Sequence, residues 1–474
     1  MKSHATFKRN LVMACTAMAL ASIAQSALAE DAPETEYTLL DSIKQGKPLT
    51  NFRLRYESVD QDLFQPAPNA TKKLDTANAF TLRSLIGWQT APFHNFSFAA
   101  QITDVHEFND DFNDKRGNVN EPGKTKYPAI VDPGYTDINQ LYVDWTGIKN
   151  TKLRLGRQQV NLDNVRFIGD IGFRQNMQVF DGVSVLNKSI PDTEIFAAHF
   201  DKVRQINTEL RSGNIDIVNA KYRISPSESL VGYGYFVDVA NLSQNNGSTA
   251  AASTAAQGGN GLGPNQDLPA SKSATTDASS KTFGARLDGV RKIDDNWKVL
   301  YTAEYAKQDN YQGGSSFIDA HYFKLGGGAM YDVWSLRVDQ EVLSSNHGKY
   351  GFQTPLGTNH LFQGWADQFL VTPRQGIKDT FVTFAGSIEK AKLLAEYHVF
   401  KSDEKFATLN GQLGDKYGTE FDASVAYPFT ANVMGKLEYA KFMEDDVYGT
   451  TTASTNTARK GDKEIIWATA MYTF

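Results

Sequence analysis

The sequence predicts an all-β protein, a closed up-and-down antiparallel transmembrane β-barrel of about 18 strands. Apolar and polar residues alternate with period two along most of the chain, as in Phe52, Leu54 and Tyr56, which places successive side chains on opposite faces of a strand. Short and long connections alternate between these segments. After the first thirty residues, no apolar run is long enough for a membrane-spanning helix, although 12% of the residues are aromatic. A barrel that faces lipid outside and water inside accounts for all three observations.

The predicted strands lie near residues 52–58, 79–90, 96–106, 136–146, 151–158, 178–187, 193–202, 214–225, 229–239, 281–292, 296–308, 318–331, 333–344, 377–388, 390–401, 416–428, 431–444 and 462–474. Short connections include 147–150 and 226–228, whereas 107–135, 241–280 and 345–376 are long loops. A barrel with short periplasmic turns and long extracellular loops predicts this strict alternation. A sandwich with Greek-key crossovers does not.

The N-terminus has the features of a cleaved Sec signal peptide at residues 1–29. An apolar stretch at 11–24 precedes Ala27 and Ala29, a small-x-small cleavage site. The only cysteine, Cys15, lies in this segment, so the mature chain is predicted to form no disulfide. The segment also carries three basic side chains, Lys2, Lys8 and Arg9, and their removal changes the net charge from -6 to -9. An acidic exported chain argues against nucleic-acid binding.

Residues 30–49 are expected to form a periplasmic lead-in, and 50–474 the barrel. The chain ends in Phe474, with Tyr472 and Ala470 in the same apolar phase, which resembles the C-terminal signal read by the barrel-assembly machinery. Four tryptophans fall at predicted strand ends beside short turns, where a periplasmic aromatic girdle is expected. They are Trp88, Trp145, Trp297 and Trp334. These features predict a multi-pass protein of the Gram-negative outer membrane that contacts outer-membrane lipid.

Catalytic and metal-binding signatures are weak, and we predict no catalytic residue, metal or cofactor. The seven histidines after residue 29 include no i, i+4 pair and none beside a cysteine. The acidic run 109–114 lacks the spacing and glycine of an EF-hand, so a solvated loop is favoured over weak calcium binding. A Ser-His-Asp triad formed between neighbouring strands would leave no signature in the sequence.

The polar phase of the strands is predicted to face the lumen and carries twelve basic and ten acidic residues. The first nine strands contribute seven basic and two acidic residues, and the last nine contribute five and eight. We hypothesise an arginine-rich wall opposite an acidic one, because guanidinium groups suit the carboxylate, sulfate or phosphate groups of a passing solute. The alternative is that arginine and glutamate pair across strands only to keep the lumen wet.

Several segments resemble the alginate export family of outer-membrane β-barrels. They are LYVDW at 141–145, LRLGRQ at 153–158, the run from Asp163 through RFIGD at 166–170 to FDG at 180–182, and FQTPLGT at 352–358 continuing to GWADQFL at 364–370. The resemblance spans most of the mature chain. It implies a monomeric barrel of eighteen strands and, in the best-known member of the family, an arginine-rich conduit for a polyuronate.

The pore-lining or solute-binding candidates combine the inward basic phase with the family-like segment and the loop after it. They are Arg53, Arg55, Arg83, Arg154, Arg157, Arg166, Arg174, Lys221, Arg223, Arg286, Arg337, Asp339 and Glu341. The segment that contains Trp365 and Asp367 is too apolar and too long for an ordinary loop. We expect it to fold into the pore mouth as a constriction.

These features predict a non-enzymatic, porin-like outer-membrane channel. It would pass small anionic or sugar-like solutes by diffusion, or export an anionic polysaccharide such as alginate. Two alternatives stay open: a plugged structural or adhesion barrel and, less favoured, an outer-membrane lipid-modifying enzyme. A single-channel conductance would separate the channel from both alternatives.

Overall fold

The computed structural model describes residues 38–63, 72–116, 124–239, 242, 278–407, 412–445 and 461–474. Within these ranges, eighteen long antiparallel strands form a single sheet. They are β1 (Asn51–Leu63), β2 (Ala77–Gln89), β3 (Phe96–Glu107), β4 (Tyr135–Trp145), β5 (Thr151–Gln158), β6 (Val179–Asn187), β7 (Thr193–Arg204), β8 (Leu210–Ser225), β9 (Glu228–Asp238), β10 (Ser280–Lys292), β11 (Trp297–Asn310), β12 (Asp319–Tyr331), β13 (Trp334–Leu343), β14 (Ile377–Ile388), β15 (Ala391–Ala407), β16 (Leu413–Pro428), β17 (Val433–Glu444) and β18 (Lys463–Thr473). The predicted signal peptide and most of the predicted loop 241–280 lie outside the described residues.

The sheet closes on itself because β18 pairs with β1, from Asn51 opposite Thr473 to Gln61 opposite Lys463. Every other strand pairs with its neighbours in sequence, so the barrel has no open edge. The predicted fold class and strand number are therefore confirmed. A short helix, α1 (Leu39–Lys44), precedes the barrel, and its N-terminus is capped by Thr38. In the described part of the chain, no helix is both long and apolar enough to span a membrane.

Alternate residues of each strand face lipid and lumen, as the period-two pattern predicts. In β11, Val299 and Tyr305 are exposed on the outer face, whereas Thr302 and Glu304 are buried on the inner face. The tryptophans predicted for the girdle lie at the short-turn ends of their strands. Trp334 stacks on Phe384 of β14 with 5.3 Å between ring centroids. Exposed apolar side chains therefore form the surface that contacts the bilayer.

Two loops fold back into the barrel and pack their apolar side chains against the inner face of the strands. Residues 159–178 are called inner loop A, and residues 344–376 are called inner loop B. The two loops pair with each other through a parallel bridge between Ile168 and Leu356. Phe167 of loop A and Phe352 of loop B are buried against Tyr322 of the wall, with ring centroids 5.4 to 6.1 Å apart. The lumen is thus packed with side chains at this level.

The predicted strict alternation of short and long connections fails at two places on the long-loop side, where 205–209 and 408–412 span only five residues each. The connection 205–209 between β7 and β8 lies on the long-loop side but is only a tight turn. Here the two strands stay paired up to Arg204 and Leu210, beyond the end predicted from hydrophobicity. Backbone pairing can continue where the alternation of side chains has ceased, so the loop is shorter than predicted.

Candidate solute pathway within the barrel

Arg174 joins inner loop A to both the barrel wall and inner loop B. Its Nη1 donates hydrogen bonds to both carboxylate oxygens of Glu57 on β1, at 3.1 and 3.0 Å, and its Nη2 donates to Asp367 of loop B at 3.0 Å. Burial by itself lowers the pKa of Arg174, but the carboxylates of Glu57, Asp132 and Asp367 outweigh burial and raise the pKa above its usual value. The guanidinium group therefore stays charged and connects three parts of the fold.

Asp367 accepts a second contact inside the same junction. Nδ1 of His360 lies 2.8 Å from Asp367 Oδ1, and the His360 ring stacks on Phe173 of loop A with centroids 3.3 Å apart. Burial raises the pKa of the Asp367 carboxyl, but His360 and Arg174 outweigh it and lower the pKa to about 2. Asp367 is therefore an anion at neutral pH, and its charge holds the two inner loops together.

Arg166 forms a second junction between the same loops. Its Nε lies 2.8 Å from Glu341 Oε1 on β13, and its Nη2 donates to Gln363 of loop B at 2.9 Å. Its guanidinium carbon lies 4.6 Å from the centre of the Phe362 ring. Arg166 is fully buried, so its partners are carboxylate, amide and ring rather than solvent.

Two predicted pore-lining arginines, Arg53 and Arg55, hold the backbone of loop A, and a third, Arg83, contacts β1. Arg53 donates to the carbonyl of Gly172 at 2.7 Å, and Arg55 donates to the carbonyl of Phe173 at 2.6 Å. Arg83 donates to the side chain of Asn51 at 2.8 Å. All three arginines are buried. Arg53 and Arg55 therefore anchor the loop, because their donors point at its carbonyl oxygens.

Inner loop B is docked on β16 and β18. The backbone N–H groups of Trp365 and Ala366 donate to Asp422 at 3.2 Å and to Glu420 at 2.5 Å. The ammonium group of Lys463 donates to the carbonyl of Ala366 at 2.6 Å. Gly364 has a φ of 78° and lies directly against the Glu420 carboxylate, where a Cβ would collide. Trp365 itself is buried in the lumen, with Asp367 two residues further along loop B.

A cavity of about 360 Å³ lies between the inner loops and the wall formed by β10 to β15. Four of the predicted site residues meet there: Arg286, Arg337, Asp339 and Glu341. Other lining residues were not singled out as site candidates: Asp163, Asn164, Lys324, Phe362, Gln363, Phe381, Thr383 and His398. Glu396 was counted only among the acidic residues of the inward phase. Lys324 escaped detection because Gly326, Gly327 and Gly328 interrupt the alternation of β12, which left its phase unreadable.

Most of the cavity's charges are already paired. Arg337 lies 2.7 Å from Asp339, and Arg286 lies 2.6 Å from Asp288. Lys324 differs, because no carboxylate oxygen of the described residues lies within 4 Å of its ammonium nitrogen, although Glu304 and Glu341 lie opposite it on the neighbouring strands. Its ammonium nitrogen instead lies 5.7 Å from the centre of the Phe362 ring and 5.3 Å from that of Phe381. Lys324 is therefore the cation best placed to meet a solute.

The other predicted residues lie outside this cavity. Arg154 forms a bidentate ion pair with Asp144, at 2.6 and 2.8 Å, and Arg157 forms one with Asp181, at 2.7 and 2.9 Å. Arg223 is exposed and paired with Asp192. Lys221 is exposed. It lies opposite Val231 of β9, which in turn lies opposite Arg286 of β10, so Lys221 and Arg286 are on the same inner face of the sheet.

The closed barrel, its apolar outer face and its charged interior define a β-barrel channel of the outer membrane. Residues 49–339, more than half of the chain, match the sequence model of the alginate export family. The chain belongs to the alginate export family, and it is a porin-like outer-membrane channel for small solutes. No curated protein sequence matches it.

Several solved structures share the fold. OpdQ of Pseudomonas aeruginosa is 13% identical with a TM-score of 0.61, and the match covers 91% of this chain and 98% of that one. OccAB4 of Acinetobacter baumannii is 12% identical with a TM-score of 0.59, covering 91% and 100%. OpdK of Pseudomonas aeruginosa, solved with vanillate, is 11% identical with a TM-score of 0.58, covering 91% and 98%. At these identities the likeness concerns the fold.

Proposed function

We propose that this channel passes small anionic or sugar-like solutes by diffusion, and that they cross the cavity between the inner loops and β10 to β15. The observation that carries the proposal is the environment of Lys324. Its ammonium group faces the cavity beside two phenyl rings, and no carboxylate oxygen of the described residues lies within 4 Å of it, although Glu304 and Glu341 lie opposite Lys324 on the neighbouring strands. A solute carboxylate can pair with the ammonium group, while the rings of Phe362 and Phe381 offer apolar faces to a sugar.

The size and charge of the cavity support a small solute. A volume of about 360 Å³ lies at the lower end of small-molecule sites, which span roughly 300–1,000 Å³. The paired groups Arg286 with Asp288 and Arg337 with Asp339 offer both donors and acceptors, which suits a hydroxylated acid. Export of a polymer such as alginate, which the family membership suggests, would require the inner loops to leave the lumen.

The test is single-channel recording in planar bilayers with uronate oligomers and neutral sugars as blockers. We expect Lys324→Met to weaken block by uronates about 5- to 10-fold, which corresponds to about 1 kcal/mol for one partly desolvated charge contact. Block by neutral sugars should change less. Lys221→Met is the matched control, because Lys221 is an inward lysine outside the cavity. Equal block in both variants would contradict the role of Lys324, and a wild-type protein without conductance would contradict the channel.

Ion selectivity from an arginine-rich first half of the barrel stays a prediction. Arg154 is the residue with which to test it, because its side chain is partly exposed. Its hydrogen bonds to the described residues go to Asp144 on β4 and not to an inner loop. We expect Arg154→Gln to shift the reversal potential in a salt gradient towards cations. An unchanged reversal potential would leave only the structural interpretation, in which Arg154 and Asp144 pair to keep the wall wet.

We also propose that the chain is a monomer that acts without catalysis, is exported by the segment 1–29, and is inserted by the barrel-assembly machinery through Phe474. In support, Phe474 is exposed and contacts Tyr472, with ring centroids 4.8 Å apart, beyond the end of β18. Deletion of Phe474 should lower the amount of barrel in the outer membrane, measured in membrane fractions. Lipid hydrolysis by the purified protein would contradict the non-enzymatic role.

A further inference from the structure

Three potential metal ligands converge on the inner face of β15 and β16. Nε2 of His398 lies 3.6 Å from Oδ2 of Asp422 and 4.0 Å from Oε2 of Glu396. One ligand atom of each of the three residues lies within 4.8 Å of the other two. The register explains the grouping, because Glu396 is paired with Asp422 across the two strands, and His398 follows Glu396 by two residues. All three side chains therefore point to the same side of the sheet.

Nε2 of His398 is buried and makes no hydrogen bond to any described residue. The other ring nitrogen, Nδ1, lies 3.0 Å from Asp379 Oδ2. A carboxylate at Nδ1 holds a proton on that nitrogen, so a metal ion that displaces the proton of Nε2 meets a lone pair directed at the cluster. The rings of Phe381 and Phe400 stack on either side of the imidazole, with centroids 4.8 and 5.4 Å away. The imidazole is thus fixed in the orientation that a metal ligand needs.

A hydrogen bond from a neighbouring residue orients each of the two carboxylates of the cluster. Thr383 donates to Oε1 of Glu396 at 2.6 Å, which leaves Oε2 for a further partner. The N–H group of Trp365 donates at 3.2 Å to Oδ2 of Asp422, the oxygen that faces His398, while Oδ1 is buried and makes no hydrogen bond to the described residues. Such outer contacts orient ligands in metal sites.

We propose that Glu396, His398 and Asp422 bind one divalent transition-metal ion, for which Zn²⁺ is the reference. A nitrogen ligand combined with two carboxylates favours zinc-like ions over Mg²⁺ and Ca²⁺, which prefer oxygen ligands alone. Tetrahedral zinc with bonds of about 2.0–2.1 Å places its ligand atoms about 3.3 Å apart. The observed 3.6 and 4.0 Å therefore need to shrink by about 0.3 and about 0.7 Å for the ligands to close around the ion.

The surroundings of the cluster favour a cation and give it a route inwards. Glu420 precedes Asp422 by two residues on the same face of β16 and lies opposite His398, and Asp379 contacts Nδ1 of His398, so several buried carboxylates share a small volume. A bound dication reduces the cost of burying these charges together. Glu396 and His398 also line the lumenal cavity, so an ion can reach the cluster and keep a fourth coordination position open towards the lumen.

The test is titration of the full-length protein in detergent with ZnCl₂ by isothermal titration calorimetry, after treatment with EDTA. We expect one equivalent of Zn²⁺ per chain and its loss in His398→Gln. Asp379→Asn should weaken binding about 10- to 100-fold, since Asp379 acts through the imidazole rather than on the ion. His199→Gln is the matched control, because His199 also contacts a carboxylate, Asp216 at 2.8 Å, on β8, away from the cluster. It should bind like the wild type.

A second measurement keeps the test decisive if His398→Gln does not fold, which circular dichroism and the Tm would show. Co²⁺ added to the wild-type protein should give the visible absorption of a four-coordinate site, and Zn²⁺ should displace it. The absence of a stoichiometric Zn²⁺ site, or equal binding by His398→Gln and His199→Gln, would overturn the proposal. Competition by Mg²⁺ or Ca²⁺ at the same concentration as Zn²⁺ would also overturn it. Because the readout is metal binding, it is independent of which solute the channel passes.

Discussion

Replacing Arg174 by Met tests the junction of the two inner loops. The substitution keeps an unbranched side chain but removes the guanidinium group that contacts Glu57 and Asp367 at 3.0 Å. Arg174 is only 7% exposed, so water cannot replace the lost contacts without entering the core. Removing one partner of a buried ion pair costs about 3–5 kcal/mol, because the remaining charges stay buried without compensation. We expect the inner loops to detach from β1 and from each other.

The assay combines single-channel conductance with thermal unfolding of the purified barrel. Arg174→Met should raise the mean conductance, increase transitions between current levels and lower the Tm. Arg223→Met is the matched control, since Arg223 also contacts a carboxylate, Asp192 at 2.6 Å, but the two side chains are 63% and 49% exposed. A surface pair of this kind contributes about 0–1 kcal/mol. If the two variants behave alike in both assays, the junction does not hold the loops.

Three further predictions concern the same loops. The pKa of Asp367 is about 2 in the folded protein, against 3.8 for an ordinary aspartate. The ionised carboxylate therefore stabilises the folded state by about 2 kcal/mol above pH 3.8, and this stabilisation is lost as the pH falls through 2. Conductance recorded against pH should therefore show loop release only near pH 2, whereas Asp367→Asn should show it at neutral pH. Deletion of 352–373 should raise the conductance, and an unchanged value would rule out a constriction by loop B. Gly364→Ala should lower the Tm more than Gly348→Ala. Both glycines have a positive φ, but only Gly364 lies against a side chain, that of Glu420. Equal Tm values for the two variants would refute the close contact.

Much of the barrel could be predicted because its periodicity is local. The predicted strand 151–158 has the same bounds as β5, Thr151–Gln158. At the loop ends the prediction falls short: the strand predicted at 390–401 extends to Ala407 in β15. Beyond the bilayer, the outer face no longer needs to be apolar, so the hydrophobic alternation ends while the backbone hydrogen bonds continue. Hydrophobicity therefore marks the membrane span of a strand rather than its full length.

The site was less predictable because its contacts join distant parts of the chain. Arg166 and Arg174 were predicted from their segment, but nothing in their spacing indicates Glu341, Glu57 or Asp367 as partners. The alternation showed that charged residues face inwards, and this is how Arg286, Arg337, Asp339 and Glu341 were found. It could not show which of them a folded loop would cover. Burial by an inner loop depends on tertiary packing, which leaves no period in the sequence.

The position of the inner loops relative to the two ends of the barrel constrains how the protein is assembled. Loop A is bound to Glu57 on the first strand, and loop B is bound through Ala366 to Lys463 on the last strand. Both loops precede the last strand in the chain. Because one anchor of loop B, Lys463, lies on that strand, all the anchors of the loops are present only after the last strand has been synthesised. A chain truncated before β18 would lack one of the anchors of loop B as well as the strand that closes the sheet. Filling the lumen and closing the wall are therefore expected to occur together, late in biogenesis, rather than as separate events.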